Sequence, residues 1–481
     1  MPDAPRPSAG RRLIGYAGRF RGFDPDARRF VAASALIGIA SSIYWVDFNL
    51  YLLALGFDAP TIGLLASIGS AAAALVAFPA SVVADRLGRR AVLVGTGILA
   101  TASLAGFAVS TSLLPLAILV FAWNVAIGGA AIVQGPFLAE RSDDGNRSEL
   151  FSLLAAVQSV TSVAAAVVGG LATAAIARYG DFDPDGPEPL RLLFLGTAAA
   201  TLAGTFVLAG LAPDRPAATA RSRREGAPAR VGAGRFLFLL GRLEGDRGRF
   251  LRLLIPGTLI SFGAGQIIPF LNLYVKGRFG LDVAELNAVF AVTALGNVVA
   301  ILVQPALATR LGKVTAVVVV QAASIPFIVV LGFSPVLWTV VAALWVRSSL
   351  MVSAGPIWSA FQMEQLPPAD RATFSATTSL IWSSAWVVGG WYYALVQARL
   401  GFDLGYAVGF LTMIALYVSA IACSWRWWRP IERVAARVAS GAAAGVAAGV
   451  GAVAAGVAAG VAADQRATGA FAAPTDYPDP R

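Results

Sequence analysis

Histidine is absent from this 481-residue chain, and cysteine occurs once, at Cys423. Without histidine the usual general base and the commonest metal ligand are missing, which weighs against a membrane-embedded hydrolase, a metalloprotease or a haem protein. A single cysteine excludes an intrachain disulfide and any cysteine cluster for zinc or iron–sulfur. Charge is scarce as well: 13% of residues are charged against 57% hydrophobic, a balance that a soluble domain of this size does not carry. No Gly-x4-Gly-Lys-Ser/Thr loop is present, so the chain itself shows no ATP motor. Nothing in it points to an enzyme, a bound metal or a cofactor.

What the chain has instead is apolar length. A bilayer core of roughly 30 Å needs roughly 20 apolar residues per helix, and such runs recur between short charged or Gly/Pro-bearing breaks. Twelve spans are predicted, over 30–56, 60–84, 91–110, 113–137, 150–176 and 190–212, then 253–275, 284–308, 314–333, 335–361, 374–396 and 404–425. The expected fold class is an all-α membrane protein of two six-helix bundles, 30–212 and 253–425. A basic N-terminal segment (1–29), a linker (213–252) and a low-complexity tail (426–481) complete the chain.

Positively charged loops are retained on the cytoplasmic side. Counted from a cytoplasmic N-terminus, 31 of the 37 basic residues fall in inside segments, 5 outside and 1 within a span. Both termini are therefore expected in the cytoplasm, in a multi-pass protein of the inner or plasma membrane. The net charge of +10 is then the positive-inside signal plus affinity for anionic lipid headgroups, not a nucleic-acid surface. About thirty polar and basic residues precede the first apolar run and no cleavage site is apparent, so that run is expected to act as its own insertion signal.

The linker is rich in Arg, Ala, Gly and Pro, and Arg235–Arg242 within it reads as a short interfacial helix. From Ser440 to Ala463 the tail is Ala/Gly/Val, with Gly441, Gly445 and Gly449 at helix-packing spacing. It has no Leu, Ile or Phe to drive insertion, so a mobile tail is expected over a thirteenth span. Trp425, Trp427 and Trp428 beside Arg426 and Arg429 read as an interfacial anchor.

The two halves repeat. Ala84-Asp85-Arg86-Leu87-Gly88-Arg89 returns 224 residues later as Ala308-Thr309-Arg310-Leu311-Gly312-Lys313. The same offset carries Gly56 and Asp58 onto Gly280 and Asp282, and Glu140 and Arg147 onto Glu364 and Arg371. Asn49-Leu50-Tyr51 returns one residue out of step as Asn272-Leu273-Tyr274. Homologous membrane halves point to a pseudo-symmetric machine, most commonly a transporter whose halves rock about a central site.

The stretch Ser81-x-Val83-Ala84-Asp85-Arg86-x-Gly88-Arg89-Arg90 resembles the motif between helices 2 and 3 of the major facilitator superfamily, with Ser81 where the pattern has Gly. The resemblance covers nearly all of 30–425. Gly88 permits the tight turn, Asp85 can meet the positive end of a neighbouring helix, and Arg86 or Arg89 can meet Glu140. The resemblance implies cytoplasmic latches made of Asp85, Arg86, Gly88, Arg89, Glu140 and Arg147, repeated as Arg310, Gly312, Glu364 and Arg371, which hold the halves together when the cavity faces out. Thr309 replaces the aspartate, so the second latch is weaker or differently made. Arg90, Asp143, Asp144 and Asp370 read as solvated loop charges. Two signatures of proton-driven drug exporters are absent: the fourth span has Asn124-Val-Ala-Ile127-Gly128 without an arginine, and the fifth keeps only Gly169-Gly170 of its motif.

Arginine appears instead in the tenth span. Arg347, 223 residues after Asn124, is the one basic residue deep in a span, and Asp47 in the first is the one acidic residue. An ionisable group inside a membrane is a functional-site hypothesis by default. In the fold the resemblance implies, spans 1, 4, 7 and 10 line the central cavity, gathering Asp47, Asn124 and Arg347 with Gln266 and Asn272, and Pro269 kinks span 7. Tyr44, Asp47 and Tyr51 stand at i, i+3 and i+7, as Arg347, Met351 and Trp358 approximately do, which predicts an aromatic-rimmed pocket. Asp47 can take a proton, bind a cation or neutralise Arg347; Arg347 can bind a carboxylate or phosphate bidentately. A salt bridge between the two that merely closes the cavity is the plainer alternative. Trp382 and Trp386 read as packing or lipid-facing residues.

These expectations describe an alternating-access secondary transporter of a small solute, monomeric, with a coupling proton at Asp47. A passive facilitator and a non-transporting sensor or assembly protein are the alternatives.

Overall fold

A computed structural model describes residues 22–143, 146–213 and 245–469, with side chains at all of these except 77–78, 148, 298–299, 301–310, 372 and 432–469. The predicted interfacial helix at 235–242 and the side chain of Arg310 lie outside the described residues. Among those described the secondary structure is helical and no strand occurs. Ten helices are long and apolar enough to cross a bilayer; one of them, Pro368–Ile431, has the length for two crossings, and Val283–Asn297 is a shorter apolar helix.

The first half comprises α1 (Pro25–Ala54), α2 (Ala59–Leu87), α3 (Arg89–Val109), α4 (Leu113–Glu140), α5 (Arg147–Gly180) and α6 (Pro187–Ala209). Two of the starts have a side-chain cap. Asp24 accepts the Asp26 N–H at 2.8 Å ahead of Pro25, and Asp58 accepts the Thr61 N–H at 3.0 Å. Gly88 alone separates α2 from α3, at φ 88°, a conformation that favours glycine.

In the second half the seventh span is broken. It runs as α7 (Arg247–Gly265), a 3-10 turn (Ile268–Phe270) and α8 (Leu271–Phe279). Pro269 has no N–H to return to Gly265, so the ladder cannot continue where the kink was expected. Then follow α9 (Val283–Leu311), α10 (Lys313–Phe333) and α11 (Leu337–Glu364), with Gly312 at φ 82° between α9 and α10. Asp282 and Glu285 exchange side-chain-to-backbone bonds of 2.7 and 3.0 Å ahead of α9, a capping box. Spans 11 and 12 form α12 (Pro368–Gly469), interrupted only at Gly401, φ 72° and ψ −170°.

The chain to Cys423 forms one compact unit and that from Ser424 another. Helical backbone continues to Gly469, where the low-complexity stretch was expected to be mobile; alanine, the strongest helix former, dominates it. Within this unit the Arg429 guanidinium lies 3.4 Å from the centre of the Trp425 ring.

The twofold repeat is written into the bonds. Tyr51 donates to the Phe107 carbonyl at 2.6 Å, and Tyr274 to the Leu331 and Gly332 carbonyls at 3.2 and 2.7 Å. Arg89 pairs with Glu140, and Lys313 with Glu364. Arg147 Nε reaches Ser142 Oγ at 3.4 Å, and Arg371 Nε the Leu366 carbonyl at 3.2 Å.

The core shows where the halves meet. At the end opposite the basic loops one apolar cluster joins both halves, including Phe48, Tyr51, Phe107, Phe270, Tyr274 and Phe410. At the basic end the described residues form separate clusters, one of the first half around Phe30, Phe137 and Leu154, another of the second around Val317, Val320 and Ile357. Leu75, Leu114, Ile118, Leu171 and Phe206 are more than half exposed on the outer faces, a surface suited to lipid and not to water.

Candidate functional site

Hydrogen bonds fasten the halves near their pseudo-axis. Asn49 Nδ2 donates to the Pro269 carbonyl at 2.7 Å, and Asn272 Nδ2 returns the bond to the Val46 carbonyl at 2.6 Å. On one side Gly170 sits so close to α9 that an added Cβ meets the Asn287 Cβ at 2.9 Å; on the other, one at Gly390 meets Ser67 Oγ at 2.5 Å and the Gly63 carbonyl at 2.9 Å. Ser67 Oγ also donates to the Val387 carbonyl at 3.0 Å, and Lys276 pairs with Asp185 between the halves. These ties lie toward the end opposite the basic loops.

Beyond this seam a cavity of about 500 Å³ separates the halves. Ser41, Ser42, Tyr44 and Trp45 of α1, Trp123 and Asn124 of α4, Thr293 and Asn297 of α9, and Arg347 and Ser348 of α11 line it. A second chamber of about 440 Å³ lies within the second half, walled by Leu254, Ile260, Met351, Trp358, Ile381 and Trp382. Arg347, Ser348 and Ile268 face both.

Arg347 is 6% exposed. Its Nη2 donates to the Tyr417 hydroxyl at 3.0 Å, the Tyr417 ring centre lies 6.0 Å from the guanidinium carbon, and its buried Nε has no partner. Among the described residues it makes no ion pair, and it is the one charged residue lining either chamber. A guanidinium carries five N–H donors, so most of its fork is unspent.

Asp47 lies elsewhere. It is fully buried against α5 and α9; its Oδ1 accepts from Asn287 Nδ2 at 2.7 Å, while its Oδ2 has no partner and faces Gly169. The structure thus places no bridge between Asp47 and Arg347. Tyr44 does line the cavity, stacked between Phe48 and Trp123 at ring-centre distances of 4.6 and 4.8 Å. Asn124 lines it too, its amide donating to the Val120 carbonyl at 2.9 Å. Tyr51 is turned away onto Phe107, Asn272 is spent on the inter-half bond, and Gln266 is buried at the end of α7 with an unpartnered Nε2. Three of the seven central residues therefore meet at the cavity.

The expected latch residues sit at the basic end. Asp85 and Arg86 are exposed on the last turn of α2, and Arg89, largely buried, pairs with Glu140 and donates to the Pro136 carbonyl at 2.5 Å. Both latch pairs hold helices of one half together, not one half to the other. Asp370, read as a solvated loop charge, is buried and accepts the Gly245 N–H at 2.9 Å. Asp26 gathers Arg29 and Arg141 at 3.2 Å and the Ala212 N–H at 3.1 Å, a cluster that no repeat marks.

Asn287, Tyr417 and Trp45 escaped the sequence reading, and Trp386 was read only as a packing or lipid-facing residue. Trp386 stacks at 5.5 Å on Trp45 across the halves. Asn287 corresponds at the repeat offset to Gly63, so the repeat itself hid it, although an amide near the start of an apolar span was a usable signal.

A model of the Major Facilitator Superfamily matches residues 30–390. Among solved structures the chain is similar to a D323A mutant of the nucleoside transporter NupG (TM-score 0.67, 15% identity, covering 83% of this chain and 99% of that one). It is similar also to a bacterial homolog of the human lysosomal transporter Spinster in an inward-facing, occupied conformation (0.65, 14%, 83% and 95%) and to a D-xylose–proton symporter (0.62, 13%, 84% and 96%). Comparison with curated proteins returns no match.

Proposed function

Because this chain belongs to the Major Facilitator Superfamily, a family of integral, multi-pass membrane transporters, we propose that it is a secondary active transporter that carries a small solute by alternating access. The observation that carries this reading is the uneven core: one apolar cluster joins the halves at one end, while at the other end, among the described residues, each half has a cluster of its own. Packed interfaces are bistable, so closing one end and opening the other gives two discrete states about a fixed site. The basic end is the cytoplasmic one by its charge, which makes this the inward-facing state in an inner or plasma membrane. The complementary state brings the basic ends together, where the charged rims around Arg89 and Lys313 form the contact.

Asp47 is the coupling site in this reading. A carboxyl buried at the seam, with one oxygen on Asn287 and the other unpartnered, has no counter-charge; a proton neutralises it while the seam is closed. Opening the seam admits water and lets the proton leave.

Spin labels test the reading without a known substrate. On a Cys423→Ser background one labelled pair replaces Leu87 and Leu311 at the basic end, and another Asp183 and Asp403 at the opposite end. In liposomes each pair should give two distance populations, the basic-end pair short where the other is long. A single population at both ends, unmoved by a pH gradient or by detergent, favours the sensor reading. Two populations that ignore the gradient, with Asp47→Asn without effect, favour a passive facilitator.

A further inference from the structure

The transport reading leaves the cargo open, and the two chambers narrow it. We infer that the substrate is an amphipathic organic anion, one carboxylate or phosphate-type group on a largely apolar body, with its head on Arg347 and its body in the chamber of the second half. This rests on the cavity being the transport site.

Charge comes first. Among the described residues Arg347 is the one charged side chain that lines either chamber, and Asp47 is turned away from it onto Asn287. A buried guanidinium without a carboxylate is costly unless an anion or water completes it. Its Nε is buried without a partner and its Nη1 has no hydrogen bond among the described residues, so donors remain for the oxygens of a carboxylate or phosphate. The Tyr417 hydroxyl occupies Nη2 and fixes the fork in place.

Shape comes second. Arg347 stands at the junction of the chambers, so an anion held there can extend either way. Toward the first half the wall mixes Ser41, Ser42 and Asn124 with the aromatic rings of Tyr44, Trp45 and Trp123; toward the second it is more strongly apolar, with Leu254, Ile260, Met351, Trp358, Ile381 and Trp382. About 440 Å³ suits a body of drug size, far larger than an inorganic anion.

Polar handles come third. Gln321 Oε1, Thr378 Oγ1 and Trp386 Nε1 are buried in the wall of the apolar chamber without partners. Buried groups of this kind are rare unless something fills them. They fit a body carrying one or two hydrogen-bonding groups, such as a substituted ring system, better than a bare alkyl chain.

The test is equilibrium binding to the purified full-length protein, read by tryptophan quenching, since Trp358, Trp382 and Trp386 wall the chamber. The probes are 6-hydroxy-2-naphthoate, its neutral carboxamide, decanoate and inorganic phosphate. The naphthoate should bind at least about tenfold tighter than the carboxamide, the size of effect that pairing a buried charge carries, and Arg347→Gln should abolish that preference. Met351→Trp, which fills the chamber and leaves Arg347 in place, should weaken the naphthoate by about tenfold and so control for misfolding in the arginine variant. Preference for decanoate over the naphthoate would keep the class and assign the cargo to membrane-derived single-chain acids. Equal binding of acid and amide, undiminished binding in Arg347→Gln, or tight phosphate that resists Met351→Trp would each overturn the inference. Failure of the spin labels to show two states, with the naphthoate bound as described, would overturn transport and leave the anion site standing.

Discussion

The two halves of this molecule agree at several bonds that hold the scaffold and differ where side chains face the cavity. Tyr51 and Tyr274 tie the first and seventh spans to the carbonyls of the third and ninth, Asn49 and Asn272 exchange one bond each across the axis, and Gly88 and Gly312 make the same one-residue turn. At the site the agreement stops. Asn124 faces Arg347 in register, Gly63 faces Asn287, and the continuous α1 faces a span broken at Pro269. Pairs that recur maintain two equivalent rigid bodies; positions that diverged give the space between them its sign and chemistry.

That division is open to attack, and the seam glycines give the largest expected effect. Gly170→Val and Gly390→Val each drive a branched side chain into the partner half, where even a Cβ stands 2.9 or 2.5 Å from its neighbour. Both should empty the state closed at this end, and the Leu87/Leu311 spin-label pair should collapse to its short distance in either variant.

Asp47→Asn breaks the asymmetric pair next. It keeps size and loses the titrating proton, so gradient-driven accumulation of the naphthoate should fall by at least about tenfold, the scale of a lost proton-transfer group, while exchange across the membrane persists. The matching position in the second half holds Leu271, and Leu271→Ala should alter both rates together.

Asn49→Ala and Asn272→Ala sharpen the symmetric side. Each deletes one half of a reciprocal pair and strands a carbonyl, at about 1–3 kcal/mol against the closed seam, and the two variants should shift the label distances equally. A twofold difference in population between them would show that the axis is not energetically symmetric.

The smallest effect is at the caps. Asp58→Ala should cost about 1 kcal/mol, as should Asp282→Ala, read by thermal unfolding. Hydrogen bonding from Thr61 holds the Asp58 carboxyl below its ordinary range. Its cap is therefore complete at neutral pH and is lost as pH falls through that lowered value, so the penalty of Asp58→Ala should vanish in strong acid.

Much of this was legible in the sequence, because the repeat fixes register without reference to environment. The offset located both one-residue turns, the Asn-Leu-Tyr repeat matched Tyr51 with Tyr274 and Asn49 with Asn272 although Tyr51 and Asn272 were read as cavity residues, and apolar run length located the spans to within several residues. The direction of a side chain from a helix enclosed on every side was not legible. Tyr44 and Asp47 are three residues apart, which turns them by roughly 60° about the helix. On a surface helix that is one face; on α1, packed by α5, α6 and α9, it separates the cavity from the seam. The same enclosure turned Tyr51 onto Phe107. Spacing also could not say whether the latch charges pair within a half or between halves, since both arrangements place the same residues at the same helix ends. Gly401 escaped notice because a single left-handed residue replaces a loop of ordinary length.

The uneven core makes the two ends answer different physical variables. The seam near Asn49 is mostly apolar, with the Lys276–Asp185 pair between the halves at the same end, so its closure draws chiefly on a driving force that weakens on cooling. At the rims the Lys313–Glu364 pair is exposed and Arg89–Glu140 is half-buried, and screening weakens the exposed charges within a Debye length of about 8 Å at physiological ionic strength. Chilling therefore bears chiefly on the apolar seam and concentrated salt chiefly on the charged rims, so temperature and ionic strength become distinguishable handles on the same molecule.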